Sequence, residues 1–122
     1  MALPLVATAA ERDERAGHPD ERYALSAAHQ SGRFVAWRLD RFDGRVSACL
    51  RAGTQSLVCS AWSAPAAPAA TGPFAINAEN SSPVGTLWVW RIDSESGRLD
   101  YCTLPCCQDL AAVAPSCTSS AP

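Results

Sequence analysis

Trp37-Arg38-Leu39-Asp40, three residues, Gly44-Arg45-Val46, two residues and Cys49 make a stretch that the chain repeats. It returns as Trp90-Arg91-Ile92-Asp93, then Gly97-Arg98-Leu99 and Cys102. The offset is 53 residues, and Trp, Arg, Asp, Gly, Arg and Cys recur unchanged. A repeat at such a period marks a duplicated structural unit. Within each copy the residues alternate. Val35, Trp37 and Leu39 share one side of an extended segment, and Ala36, Arg38 and Asp40 share the other. Trp88, Trp90 and Ile92 hold the corresponding places in the second copy.

The turn between the two halves of each copy follows from its chemistry. Asp40 and Asp93 are placed to accept backbone N–H groups within the loop, and Gly44 and Gly97 supply the left-handed residue that closes a type I turn with a bulge. Arg45 and Arg98 lie across from these Asp residues, where they are expected to pair with them. If Asp40 stands opposite Arg45, Leu39 faces Val46, Trp37 faces Ala48 and Val35 faces Leu50, all on one apolar side. That self-consistent register predicts a β-hairpin.

Upstream, Tyr23-Ala24-Leu25-Ser26-Ala27 reads as a further strand, echoed by Phe74-Ala75-Ile76-Asn77-Ala78. The expected fold is therefore mainly β: two tandem three-stranded antiparallel meanders related by pseudo-twofold symmetry, with disordered termini. The meanders either bury their Trp faces against each other or continue side by side. The expected organisation is a mobile segment over 1–21, a first repeat over 22–61, a Pro/Ala linker over 62–73, a second repeat over 74–105, and a loose Cys-containing tail over 106–122. A short helix over 107–113 is allowed within that tail.

The hairpin resembles the strand–turn–strand Trp-Arg-Ile-Asp-x-x-Thr-Gly-x-Val-x-x-Cys of a group of small bacterial proteins without a known function. It is also slightly similar to the Asp-x-x-Thr-Gly turn of quinoprotein propeller blades. The Thr place holds Asp43 in the first copy and Ser96 in the second. The resemblance covers about 13 residues of each copy and implies a β-hairpin, with no activity attached. Two copies fall short of a propeller, which needs at least about four blades, so a chain of this length would have to oligomerise or join a larger assembly to build one.

Composition bounds the function. The chain has 122 residues and a net charge of −2, so no general attraction to nucleic acid is expected. No run approaches the roughly 18 apolar residues of a membrane span, so no membrane insertion is expected. All ten basic residues are Arg, which a coding bias produces and which also suits bidentate recognition of anions. Residues 1–10 are apolar, end in small residues and precede a charged run, in the manner of a clipped export signal; a flexible terminus is the alternative.

Six cysteines, at 49, 59, 102, 106, 107 and 117, suit disulfides in a periplasmic or extracellular compartment, whereas free thiols would mean the cytoplasm. Cys49 and Cys102 either pair with each other, pair with Cys59 and with one of Cys106 and Cys107, or stay reduced. The second pattern suits the repeat best.

No Gly-x-Ser-x-Gly elbow, phosphate loop or carboxylate pair is present, so no catalytic, cofactor or metal residue is assigned. The alternation assigns the repeat tryptophans to the core. Trp62, alone in the linker, is a candidate for docking, with Arg38 and Arg91 as further interaction candidates. The reading is a non-catalytic protein-interaction or assembly subunit that binds a protein partner or itself. The alternative is a small-ligand or metal binder using Arg38, Arg91 and the cysteines.

Overall fold

The alternation around Trp37 becomes β2 and the matching alternation around Trp90 becomes β6 in the structure, a computed structural model that describes residues 21–54, 56–67, 70–81 and 83–120. β1 (Tyr23–Gln30), β2 (Arg33–Asp40), β3 (Val46–Arg51) and β4 (Leu57–Cys59) form one antiparallel sheet in sequence order. β5 (Phe74–Asn77), β6 (Thr86–Asp93), β7 (Leu99–Pro105) and β8 (Ser116–Ser119) form the other. Leu39 faces Val46, Trp37 faces Ala48 and Val35 faces Leu50, the register expected from the sequence. The segment over 1–20, with its export-like start, lies outside the described residues.

Each meander gains a fourth strand that the sequence reading lacked. β4 adds to β3, and β8, drawn from what was expected to be a loose tail, adds to β7. The cause is covalent. Cys49 and Cys59 sit opposite each other across β3 and β4, and Cys102 and Cys117 across β7 and β8, and each pair is a disulfide. Each bridge closes a short loop of 10 or 15 residues, an effect typically worth ~2–4 kcal/mol. That holds in place strands of only three and four residues. The expected pairing of Cys102 with Cys106 or Cys107 is thereby corrected, since those two neighbours pair with each other. The allowed helix over 107–113 is a single 3₁₀ turn, Leu110–Ala112, whose Leu110 closes one side of the core.

The sheets do not stack about a twofold axis. The first contributes its Trp face, with Val35, Trp37, Leu39, Val46, Ala48 and Leu50 buried. The second contributes its opposite face, with Leu87, Val89, Cys102 and Leu104 buried in the same cluster. Non-equivalent faces meet, front to back. The expectation that both Trp faces are core therefore holds for Trp37 and fails for Trp88 and Trp90, which are half-exposed on the outside of the second sheet.

Two polar side chains lock this offset. Gln30, fully buried, donates from Nε2 to the carbonyls of Glu79 (2.7 Å) and Trp88 (2.8 Å), and its Oε1 accepts the Trp88 N–H (2.9 Å). β5 is only four residues long and ends at Asn77 opposite Trp90. The Gln30 amide thus does for Trp88 what a longer strand would have done, leaving no buried backbone group unpaired there. At the other end Arg91, 3% exposed, forms an ion pair with Asp100 at 2.7 Å and donates to the Gly44 carbonyl of the first sheet. Removing one partner of such a buried pair costs about 3–5 kcal/mol.

Gly44 and Gly97 occupy equivalent turns with φ of 82° and 76°, yet their surroundings differ. A Cβ on Gly44 would lie 2.8 Å from Ala66 Cβ and 3.2 Å from the Phe74 ring, whereas one on Gly97 meets nothing within 4 Å. Gly97→Ala is therefore expected to cost only the left-handed strain of ~1–2 kcal/mol. Gly44→Ala is expected to cost a further ~1–3 kcal/mol from overpacking between the sheets. Urea denaturation of the two variants checks the difference; equal losses would contradict the front-to-back junction.

Candidate functional site

The turn residues singled out in the sequence are structural, with one change of partner. The Oδ1 of Asp40 accepts the N–H groups of Phe42 (3.0 Å) and Asp43 (3.4 Å), and that of Asp93 accepts those of Glu95 (3.0 Å) and Ser96 (3.3 Å). The Gly44 and Gly97 N–H groups donate to the Asp40 and Asp93 carbonyls, each at 2.8 Å. Arg45 and Arg98, however, do not pair with these Asp residues. Arg45 turns to Asp43 at 3.2 Å and Arg98 approaches Asp100 at 3.9 Å. Asp40 instead holds Arg22 at 2.9 Å, because the aspartate points across β2 toward the start of β1.

Asp93 ties the connector to the second sheet. Its Oδ2 accepts the Thr71 N–H at 2.8 Å. Burial opposes the charged form, but the N–H groups of Thr71, Glu95, Ser96 and Gly72 outweigh it and hold the carboxyl well below the ordinary carboxylate range. The segment expected as a Pro/Ala linker is likewise pinned. Ser63 exchanges hydrogen bonds with Val46, its N–H donating at 2.8 Å and its Oγ accepting at 2.9 Å. The chain beyond β4 thereby covers the edge of β3, which would otherwise be open to another strand.

The interaction candidates are separated. Arg91 is interior, its charge met by Asp100. Arg38, its counterpart, is on the outer face of the first sheet, with its guanidinium 4.2 Å over the Trp62 ring. The Tyr23 ring lies 6.2 Å from the same indole. Ser47 stands opposite Arg38 where Asp100 stands opposite Arg91, so Arg38 Nε is buried without an acceptor. Cys49, Cys59, Cys102, Cys106, Cys107 and Cys117 are all paired, and no three of His, Cys, Asp and Glu converge among the described residues. Nor is any helix among them long and apolar enough to cross a membrane.

A surface the sequence reading missed is better formed. On the outer face of the second sheet, Trp88, Trp90 and Tyr101 make a triangle with ring centroids 5.3, 5.3 and 5.4 Å apart. Ile92 and Leu99, exposed beside them, line a shallow pocket with Ala75, Asn77 and Trp90. The indole N–H groups are already bonded, Trp88 to the Ser81 carbonyl at 3.1 Å and Trp90 to the Glu79 carboxylate at 3.1 Å. The rings are thus held in place with satisfied polar tips, the arrangement of a contact face rather than of a reaction centre.

No protein-family model, curated protein or solved structure matches the chain.

The depressed Asp93 carboxyl makes the connector acid-sensitive. Its stabilising contribution is present above the unfolded value of about 3.9 and is lost as pH falls through that value toward the folded one. Asp93→Asn removes the titrating group while keeping an acceptor. The variant is expected to be less stable at neutral pH and to lose less stability than the wild type between about pH 5 and pH 2. Urea midpoints measured across that interval check it; parallel pH profiles would contradict the assignment.

Proposed function

We propose that the protein is a non-catalytic, exported assembly subunit that binds another protein chain through the aromatic face of its second sheet. The observation that carries this reading is the Trp88, Trp90 and Tyr101 triangle, flanked by exposed Ile92 and Leu99. This is the counterpart of a face that the first sheet buries completely, with Trp37 in the place of Trp90. Aromatic groups held rigidly with satisfied polar tips lose little entropy on docking, which is why Trp and Tyr dominate interface hot spots. The repeat motif supports placing the chain beside the small bacterial proteins that carry the same hairpin.

Export is supported by the paired cysteines, since disulfides persist in oxidising compartments. Protein taken from its native host and alkylated without reduction is expected to show six protected cysteines by intact mass. Six modified thiols would place it in a reducing compartment and remove the export part of the proposal.

The contact face has its own test. A photo-crosslinking phenylalanine analogue replaces Tyr101, which is 37% exposed on that face, and a control carries the analogue at Glu95 in the β6–β7 turn. Irradiation in the native host is expected to give a covalent protein adduct from position 101 and none from position 95. No adduct from position 101 would overturn the proposed face.

A further inference from the structure

Inside one chain, the Trp face of the first sheet rests on the opposite face of the second, so a stack of two sheets leaves one face of each kind at its ends. Those end faces are the outer face of the first sheet, with Leu25 at 69% and Phe34 at 79% exposure, and the aromatic face of the second. We propose that the two meet between chains: the aromatic face of one copy takes the outer first-sheet face of the next, repeating head to tail the junction already present within the chain. This rests on the reading of the aromatic face as a protein-contact surface and names its occupant as a second copy.

The repeat supplies the argument. At the internal junction, Arg91 reaches from the second sheet to the Gly44 carbonyl in the turn of the first, and the Phe74 ring packs on that glycine. At the ends the counterparts lack these sheet-to-sheet partners, although Arg38 and Tyr23 both lie against Trp62 within the chain. Gly97 has nothing within 4 Å of where a Cβ would stand, although its turn has the same shape as the one that Phe74 covers. Tyr23, in the place of Phe74, is 56% exposed. Arg38, in the place of Arg91, has an Nε with no acceptor.

Placing the next chain as the second sheet sits on the first brings the Tyr23 ring onto Gly97 and the Arg38 guanidinium toward the Gly97 carbonyl. Trp62, already stacked on Arg38, becomes part of the new junction. Ser47 replaces Asp100 there, so the chain-to-chain version lacks the buried ion pair and relies on ring and aliphatic contact. That suits a contact between separate molecules, since no ion pair has to be stripped of water each time two chains meet. The two docking surfaces differ, so the association is heterologous.

The test uses the purified, oxidised full chain with one charge placed on each face: Leu25→Glu on the outer first-sheet face and Ile92→Glu, at a 39% exposed position, on the aromatic face. Light scattering after size exclusion is expected to give a mass of two or more chains for the wild type. Each variant alone is expected to be monomeric, and an equimolar mixture is expected to give a two-chain species, because each variant retains the face the other has lost. If Ile92→Glu unfolds by circular dichroism, Leu99→Glu takes its place.

A Leu25→Glu variant that still dimerises while Ile92→Glu does not would mean aromatic face against aromatic face and would overturn the proposal. A wild type that stays monomeric at all concentrations would overturn it as well. In either case an adduct from position 101 in the host would leave the broader reading of the aromatic face standing, and its absence would remove both.

Discussion

The front-to-back contact between the two sheets is the constraint on which the rest of the molecule depends. It buries Trp37, Leu39 and Val46 in one cluster with Leu87, Val89 and Leu104. A sheet with one apolar face must cover it. The offset between the copies then dictates which polar groups are buried with it. Gln30 completes the hydrogen bonding of β6 where β5 has stopped, and Arg91 crosses to the opposite turn. Both are buried polar groups with several partners, so both resist sliding of one sheet over the other.

The same hairpin motif serves two environments, which explains why the copies have diverged where they have. On β2, Arg38 faces outward and lies over Trp62; on β6, Arg91 faces inward and takes Asp100 as a partner from β7. Tyr101 and Trp88 stand where the first copy has Ala48 and Val35. In the first sheet those positions lie within a filled core, which has room for an alanine and a valine. In the second they face outward, where large rings fit without strain.

The hairpins were legible in the sequence because three independent signals agreed: alternation on both arms, a glycine at the turn and an aspartate to accept its N–H groups. The inward face of the second copy was not legible. β6 carries apolar residues on both sides, Leu87 and Val89 against Trp88, Trp90 and Ile92, so periodicity alone does not say which side meets the other sheet. β8 was missed for the opposite reason: Ser-Cys-Thr-Ser has no apolar alternation, and its place beside β7 is set by Cys117. The pairing of Cys49 with Cys59 was among the readings the repeat favoured, while that of Cys102 skipped past two nearer cysteines. The aromatic triangle escaped notice because tryptophans alternating with apolar neighbours look the same in a core and on an open face.

A chain with two units and a single junction behaves unlike a longer array. In a one-dimensional array, stability is a sum of unit and nearest-neighbour terms, and interior units have neighbours on both sides. The two described sheets share one such neighbour term. Damage at the Gln30 or Arg91 crossing therefore weakens both halves together. Each added neighbour, in contrast, would supply a further junction term, so a sheet flanked on both sides would be held by two contacts in place of one.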